Sequence, residues 1–151
     1  MSEFKNKAEI YAFMVEREVK SCGLYRYLAQ SVAGRQAKTL LERLAQKEEQ
    51  YRQKLEESKK SGVFTNKRCN LPDNSFFKTI YETPASPGQT LPQILMFAIK
   101  TKHDDYLACN DAASHCQEGE LRKLWLALAE EERINRLELE SFYEKEVISK
   151  I

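Results

Sequence analysis

Charged side chains stand in the middle of stretches whose inward positions are otherwise apolar. Glu18, Glu48, Lys102 and Glu132 each occupy such a position in a different part of the chain. Carboxylates that are buried together repel one another and are costly to desolvate, so they need a cation among them. A metal ion held by oxygen ligands could supply that charge, and so could the ammonium group of Lys102. The residue types therefore predict a buried charged centre.

The spacing of the apolar residues predicts four long amphipathic helices that carry this centre. Residues three and four positions apart lie on one helix face. The stripes run through Tyr11, Val15, Cys22, Tyr25 and Ala29; Ala37, Leu41, Leu44, Tyr51 and Leu55; Leu95, Ile99, Tyr106, Cys109 and Ala113; and Leu121, Trp125, Leu128, Asn135, Leu139 and Phe142. Narrow stripes of this kind are typical of helices that pack at shallow angles in a bundle. The charged residues break the four stripes at matched depth, so we expect them to meet.

Composition narrows the class of protein. The chain has 151 residues, which suits one domain, and its formal net charge of +1 offers no overall field for nucleic acid or an anionic membrane. The N-terminal residues lack an apolar signal-peptide run, and no segment approaches the ~18 apolar residues of a membrane span. We therefore expect a cytoplasmic protein. Cys22, Cys69, Cys109 and Cys116 form no CxxC pair, so a zinc or rubredoxin-like site is not encoded.

An internal repeat relates the two halves of the chain. The shift that takes Glu48 to Glu132 also aligns other identical residues. These pairs are Leu40/Leu124, Leu44/Leu128, Ala45/Ala129, Arg52/Arg136, Leu55/Leu139 and Glu56/Glu140. The matches predict a duplicated helical hairpin, with copies at about 3–60 and 91–149 joined by a crossover over 61–90.

Turn and helix-capping residues agree with this division into two hairpins. Gly34 and Gly119 mark the short turn inside each hairpin, and Thr90 with Pro92 is typical of a helix start. The crossover is long enough to retrace a helix of about 25 residues, so the second and third helices should be parallel. Within it, SFFKTIYE, with Phe76, Phe77 and Ile80, is the part expected to dock on the bundle.

These helices resemble a known family. FMVEREVKSCGLYRYLAQ followed by LLERLAQKEEQYRQKLEE resembles the first hairpin of the rubrerythrin-like branch of the ferritin-like superfamily. FAIKTKHDDYLACNDAA followed by LWLALAEEERINRLELES resembles its second hairpin. The resemblance implies an all-α, ferritin-like four-helix bundle with one long crossover. It also implies a site for two iron ions between the helices.

In that family the first and third helices each give one Glu, and the second and fourth each give a Glu-x-x-His pair. Three residues match these ligands: Glu18, Glu48 and Glu132. Three residues depart from them: Lys102 replaces the Glu of the third helix, and Tyr51 and Asn135 replace the two histidines. Asp105, one turn after Lys102, matches an additional carboxylate that rubrerythrins carry there. The resemblance therefore implies a diiron site with an incomplete ligand set.

Two interpretations of this centre follow. In the first, the metal site has become a polar network, in which the Lys102 ammonium compensates the carboxylates while a hydroxyl and an amide donate hydrogen bonds to them. Its members are Glu18, Glu48, Tyr51, Lys102, Glu132 and Asn135. In the second, carboxylates still bind iron or manganese. Its ligands are Glu18, Glu48, Asp105 and Glu132.

The corresponding functions also stay open. A metal-free bundle would bind or regulate an unknown protein or small molecule and would need no cofactor. A metal-loaded centre, dinuclear or mononuclear, would make the chain an oxidoreductase acting on peroxide or oxygen, such as a non-haem iron peroxidase or a ferroxidase. A homodimer is expected by analogy with related folds, whereas nucleic acid and membranes are not expected partners.

Overall fold

The computed structural model describes residues 2–4, 7–61, 69–71, 89–116 and 119–151. In that part of the chain four helices form the body of the fold: α1 (Lys7–Ser31), α2 (Arg35–Ser61), α3 (Leu91–Ser114) and α4 (Gly119–Glu146). A short 3-10 turn at Ile148–Lys150 follows α4. The prediction of an all-α four-helix bundle is confirmed.

Two short strands accompany the helices. Strand β1 (Ser2–Phe4) pairs antiparallel with β2 (Cys69–Leu71), and Phe4 lies opposite Cys69. The helical periodicity does not predict this pairing, because three residues are too few to reveal a strand by alternation. The pairing holds part of the predicted crossover beside the residues that precede α1. The SFFKTIYE stretch, with Phe76, Phe77 and Ile80, lies outside the described residues.

Local signals explain where the helices begin. The Thr90 hydroxyl accepts a hydrogen bond from the Gln93 backbone N–H, and the Gln93 side chain accepts one from the Thr90 N–H, which makes a reciprocal cap. Pro92 stands in the first turn of α3, where a missing N–H costs nothing. In the first hairpin, the Gly34 carbonyl accepts the first hydrogen bond of α2 from the Lys38 N–H.

Cross-helix contacts fix the helix directions. Arg17 and Ser21 of α1 contact Asp105 and Lys102 of α3 respectively, so a later residue of α1 meets an earlier one of α3. In the same way, Arg43 and Lys47 of α2 bond to Glu138 and Asn135 of α4. Both pairs of helices are therefore antiparallel. Since α1 and α2 form a hairpin, α2 and α3 run parallel, and the end of α2 and the start of α3 lie at opposite ends of the bundle.

Apolar side chains fill the two ends of the bundle as separate clusters. The first apolar cluster centres on Trp125 and includes Ile10, Met14, Leu55, Ala108, Cys109, Ala112, Leu121 and Leu128. The second apolar cluster includes Cys22, Tyr25, Leu28, Leu41, Leu44, Ile94, Leu95, Ala98 and Leu139. Along every helix, buried charged or polar residues lie between the two clusters. None of the described helices has the length and apolar content that a membrane crossing requires.

Candidate functional site

A layer of buried polar side chains separates the two apolar clusters. Its members are Arg17, Glu18, Ser21, Glu48, Lys102, Asp105, Glu132 and Asn135, and none is more than 2% exposed. We call this group the polar layer. Charged side chains are almost never this deeply buried without partners. The polar layer is therefore the candidate functional site of the described chain.

Helical periodicity brings these side chains together. Arg17, Glu18 and Ser21 lie within one turn of α1, and Lys102 and Asp105 lie three residues apart on α3. Glu132 and Asn135 have the same spacing on α4, while α2 contributes Glu48. Residues three or four apart share a helix face, so the inward faces of the four helices all point their polar residues into one volume.

The Lys102 ammonium is one of two cations in the polar layer. Its Nζ lies 2.7 Å from a carboxylate oxygen of Glu132, 3.5 Å from Glu48 and 3.6 Å from Asp105. It also donates a hydrogen bond to the hydroxyl of Ser21. Lys102 is fully buried, so these contacts take the place of water around the ammonium group.

Arg17 is the second cation. One guanidinium nitrogen lies 2.6 Å from Glu18, and the other contacts Asp105 and lies 3.7 Å from Glu132. Each cation thus contacts three carboxyl groups. Asp105 and Glu132 contact both cations, so they bridge them, whereas Glu18 pairs with Arg17 and Glu48 pairs with Lys102.

Three of the carboxyl groups also crowd one another. Glu18, Glu48 and Glu132 each bring one oxygen within 4.8 Å of the others. Burial, and next the charge of Glu48, raise the pKa of Glu18 well above its usual range. Burial and the same neighbour also raise the pKa of Glu132 well above its usual range. Both shifts favour the protonated, neutral form of these two carboxyl groups.

Glu48 is the carboxylate that stays ionised. Burial alone would raise its pKa, but the Lys102 ammonium and the nearby Arg17 lower it to about 2. Glu48 is therefore the glutamate of this group whose negative charge the two cations stabilise.

The polar layer pairs two cations, Arg17 and Lys102, with four carboxyl groups. The raised pKa values of Glu18 and Glu132 lower the negative charge that these cations balance, which reduces the cost of burying the group. Four of its buried carboxyl oxygens have no hydrogen-bond partner among the described residues: Glu18 Oε2, Glu48 Oε2 and both oxygens of Glu132.

One chain of hydrogen bonds connects the layer to the protein surface. The Asn135 amide donates to Glu48 over 3.0 Å, and its carbonyl oxygen accepts from Lys47 over 2.8 Å. Lys47 is 26% exposed and also contacts Glu138 on the outer side of α4. Asn135 therefore joins a surface ion pair to the buried carboxylate.

Two tyrosines border the layer. The Lys102 Nζ lies 5.0 Å from the centre of the Tyr25 ring, a cation–π contact with a fully buried aromatic side chain. Tyr51, expected to hydrogen-bond to a carboxylate, is half-buried and packs against the first apolar cluster, with no hydrogen bond to the described residues. Burial and the charge of Glu18 raise the pKa of Tyr51 to about 12, so its hydroxyl remains protonated.

Most of the residues selected from the sequence lie together. Glu18, Glu48, Lys102, Glu132 and Asn135 all belong to the polar layer, whereas Tyr51 lies at its edge. Asp105 is buried too, but it turns towards the two cations and is not part of the close group formed by the three glutamates.

Arg17 and Ser21 also belong to the polar layer, but the sequence pattern did not predict them. Both lie on a second inward stripe of α1, which runs through Ile10, Met14, Arg17, Ser21 and Leu28 beside the stripe of Glu18. This second stripe could have predicted that Arg17 and Ser21 are buried, because a helix packed between two others buries a face wider than one row of residues. A charged pair such as Arg17 and Glu18 on adjacent stripes then has both members inside.

Comparison of the chain with protein-family models, with curated proteins and with solved structures finds no match. The geometry of the polar layer is therefore the basis for assigning a function.

Proposed function

We propose that the chain is a metal-free, ferritin-like bundle of two duplicated hairpins that acts by binding or regulating a partner rather than by redox catalysis. The parallel course of α2 and α3, with each helix of one hairpin antiparallel to its counterpart in the other, supports the one-crossover ferritin-like arrangement. The matching glutamates at Glu48 and Glu132 support the duplication.

The observation that carries the proposal is the position of the two cations. The Lys102 ammonium lies among Glu48, Asp105 and Glu132, and Arg17 lies among Glu18, Asp105 and Glu132. In a two-metal centre, bridging carboxylates would hold two metal ions in such an arrangement. Here an ammonium and a guanidinium lie among the carboxyl groups, and they would repel an incoming metal ion. The residues of the layer do not fit a diiron pair.

One observation favours the alternative, a metal-binding oxidoreductase acting on peroxide or oxygen. The three glutamates bring oxygen atoms within 4.8 Å of one another, and oxygen ligands suit manganese and other hard cations. A metal ion would enter only if it displaced the Lys102 ammonium and released the protons of Glu18 and Glu132. The alternative therefore requires a rearrangement of the described centre.

Metal analysis tests the proposal. We expect protein purified without chelator, and again after anaerobic loading with ferrous iron, to hold well below one equivalent of iron by mass spectrometry. It should also lack oxo-bridged diiron absorption. Two tightly bound irons per chain with peroxide turnover would refute the proposal and favour the oxidoreductase.

A matched pair of variants tests whether the Lys102 ammonium is what excludes a metal ion. Lys102→Met removes the buried ammonium, whereas Lys100→Met removes an ammonium on the same helix that is 78% exposed. We expect Lys102→Met to take up more manganese or iron than the wild-type chain and Lys100→Met to behave like the wild type. Circular dichroism would establish that both variants remain helical. Equal metal contents in all three proteins would show that Lys102 is not what excludes the ion.

A further inference from the structure

Some of the most deeply buried polar atoms of the protein have no hydrogen-bond partner among the described residues. One of them is the hydroxyl of Tyr25, a side chain that is 1% exposed. Others are Oε2 of Glu48 and both carboxyl oxygens of Glu132. In folded proteins the large majority of buried side-chain polar atoms have a partner, either in the protein or in ordered water. A group of unpartnered atoms at one place therefore indicates a bound ligand.

These atoms belong to groups that surround the Lys102 ammonium. The Lys102 Nζ lies 2.7 Å from Glu132 and 3.5 Å from Oε1 of Glu48, and it lies 5.0 Å from the centre of the Tyr25 ring. Glu48 uses the same Oε1 to accept the hydrogen bond from Asn135, which leaves its Oε2 without a partner. Side chains of α1, α2 and α4 thus bring unpartnered polar atoms to one part of the polar layer.

The Tyr25 hydroxyl is a hydrogen-bond donor in this group. Burial raises the pKa of Tyr25 well above its usual range. The Lys102 ammonium opposes this rise, whereas the charges of Glu48 and Glu132 add to it. The hydroxyl therefore keeps its proton near neutral pH and needs an acceptor, which buried tyrosine hydroxyls generally have.

The mixture of a donor with several acceptors narrows the chemistry of the ligand. A metal ion can bind carboxyl oxygens, but it accepts no hydrogen bond from a hydroxyl, and the two cations of the layer repel it. An anion would be repelled by the ionised Glu48. Water both donates and accepts hydrogen bonds, and a buried water molecule typically makes about three of them to polar groups of this kind.

We propose that the polar layer binds an ordered water molecule, which accepts a hydrogen bond from the Tyr25 hydroxyl and donates to Glu48 and Glu132. The inference rests on the metal-free centre proposed above, because a metal ion would compete for the same carboxyl oxygens. The water joins α1 to α2 and α4 through hydrogen bonds that add no charge to the layer.

Oxygen-17 relaxation dispersion of the solvent gives the first test, since it detects water molecules that stay inside a folded protein for nanoseconds or longer. We expect the full wild-type chain to show such a dispersion and Tyr25→Phe to lose part of its amplitude. Tyr27→Phe is the matched control, because Tyr27 lies on the same helix but is 43% exposed. It should keep the wild-type amplitude. A wild-type chain without the dispersion, or equal amplitudes in all three proteins, would overturn the inference.

The stability of Tyr25→Phe gives a second test, in which the sign of the change is decisive. Phenylalanine keeps the aromatic ring and removes only the hydroxyl. Removing a buried hydroxyl that has no partner should raise the urea midpoint, because an uncompensated desolvation cost disappears. Removing one that donates to bound water should lower the midpoint, because the water loses a hydrogen bond. We expect a lower midpoint for Tyr25→Phe and an unchanged one for Tyr27→Phe. An unchanged or higher midpoint for Tyr25→Phe would contradict the bound water.

Metal analysis of the same samples separates this inference from the proposed function. Tightly bound iron or manganese in the centre would refute the metal-free bundle. Metal-free protein that shows neither the dispersion nor the lower Tyr25→Phe midpoint would refute the bound water and leave the proposed function standing.

Discussion

At the scale of single residues, Lys102 and Arg17 determine the character of the polar layer. A long aliphatic amine and a guanidinium are both buried at nearly zero exposure in the middle of a small bundle. Each is surrounded by three carboxyl groups, so desolvation is offset by ion pairs and hydrogen bonds rather than by water. Removal of either cation would leave buried acids without compensation.

We therefore expect Lys102→Met to destabilise the protein. Breaking a buried ion pair by removing one partner typically costs about 3–5 kcal/mol, and urea denaturation at neutral pH would measure this loss. Lys100→Met provides the exposed control and should change the free energy of unfolding by less than about 0.5 kcal/mol. Adding Glu48→Gln to Lys102→Met should restore part of the loss, because it removes the ionised carboxylate that the missing ammonium had stabilised. An unchanged midpoint in Lys102→Met would show that Lys102 is not needed for charge balance.

The raised pKa values of Glu18 and Glu132 predict an unusual pH dependence. Above the ordinary glutamate value of 4.5, the unfolded chain releases both protons while the folded chain retains them. The free energy of unfolding should therefore fall as pH rises from about 4.5 towards the folded pKa values. Glu48 behaves oppositely: its folded pKa of about 2 means that its contribution is lost as pH falls from 4.5 to 2.

Glu18→Gln provides the test of this dependence. Glutamine has no proton to lose, so the variant should show a smaller fall in unfolding free energy between about pH 4.5 and 8 than the wild type. Glu16→Gln, whose carboxylate is 63% exposed on the same helix, should retain the wild-type slope. Parallel curves for all three proteins would indicate that Glu18 is ionised in the folded state.

Most of this centre was predictable from the sequence, but its second cation was not. Glu18, Glu48, Lys102 and Glu132 were visible because each interrupts an apolar stripe. Arg17 was not, because its own stripe lies beside that of Glu18 and an arginine there is equally compatible with an exposed position. Side-chain direction between two adjacent stripes depends on which neighbouring helices pack against α1, and local periodicity does not contain that information.

At the scale of the helices, the direction of each helix decides which of its residues meet those of its neighbours. Antiparallel packing of α1 on α3 puts Cys22 in the second apolar cluster and Cys109 in the first, on opposite sides of the polar layer. Both thiols are free and buried. Burial raises the pKa of Cys22 as well as that of Cys109, which lowers the fraction of reactive thiolate.

We therefore expect Cys22 and Cys109 to react slowly with thiol reagents in the folded protein and never to form a disulfide with each other. A disulfide requires Cα atoms within about 7 Å. Mass spectrometry after mild oxidation, with a fully denatured sample as the reactive control, would measure both properties. Cys69 should react fastest of the four, a prediction about a side chain outside what the structure describes. A Cys22–Cys109 disulfide would contradict the helix directions.

At the scale of the whole molecule, the helices and their caps were predictable and the connection between hairpins was only partly so. Apolar periodicity predicted four helices, and Thr90 with Pro92 predicted the start of α3, where the structure has a cap formed by Thr90 and Gln93. The pairing of β1 with β2 was not predictable, because it joins two three-residue segments that are far apart in sequence. Such pairings depend on tertiary proximity and leave no periodic pattern.

The place of the polar layer between two apolar clusters has a consequence for specificity. Leucine-rich helices can slide past one another by a turn and still bury apolar surface, so an entirely apolar bundle has several nearly equivalent alignments. In this chain, a one-turn slip of α3 would carry the Lys102 ammonium into leucines and leave Glu48 without its partner. The layer thus penalises every alignment except one, which makes the buried charges a device for uniqueness of fold even where they add little to its stability.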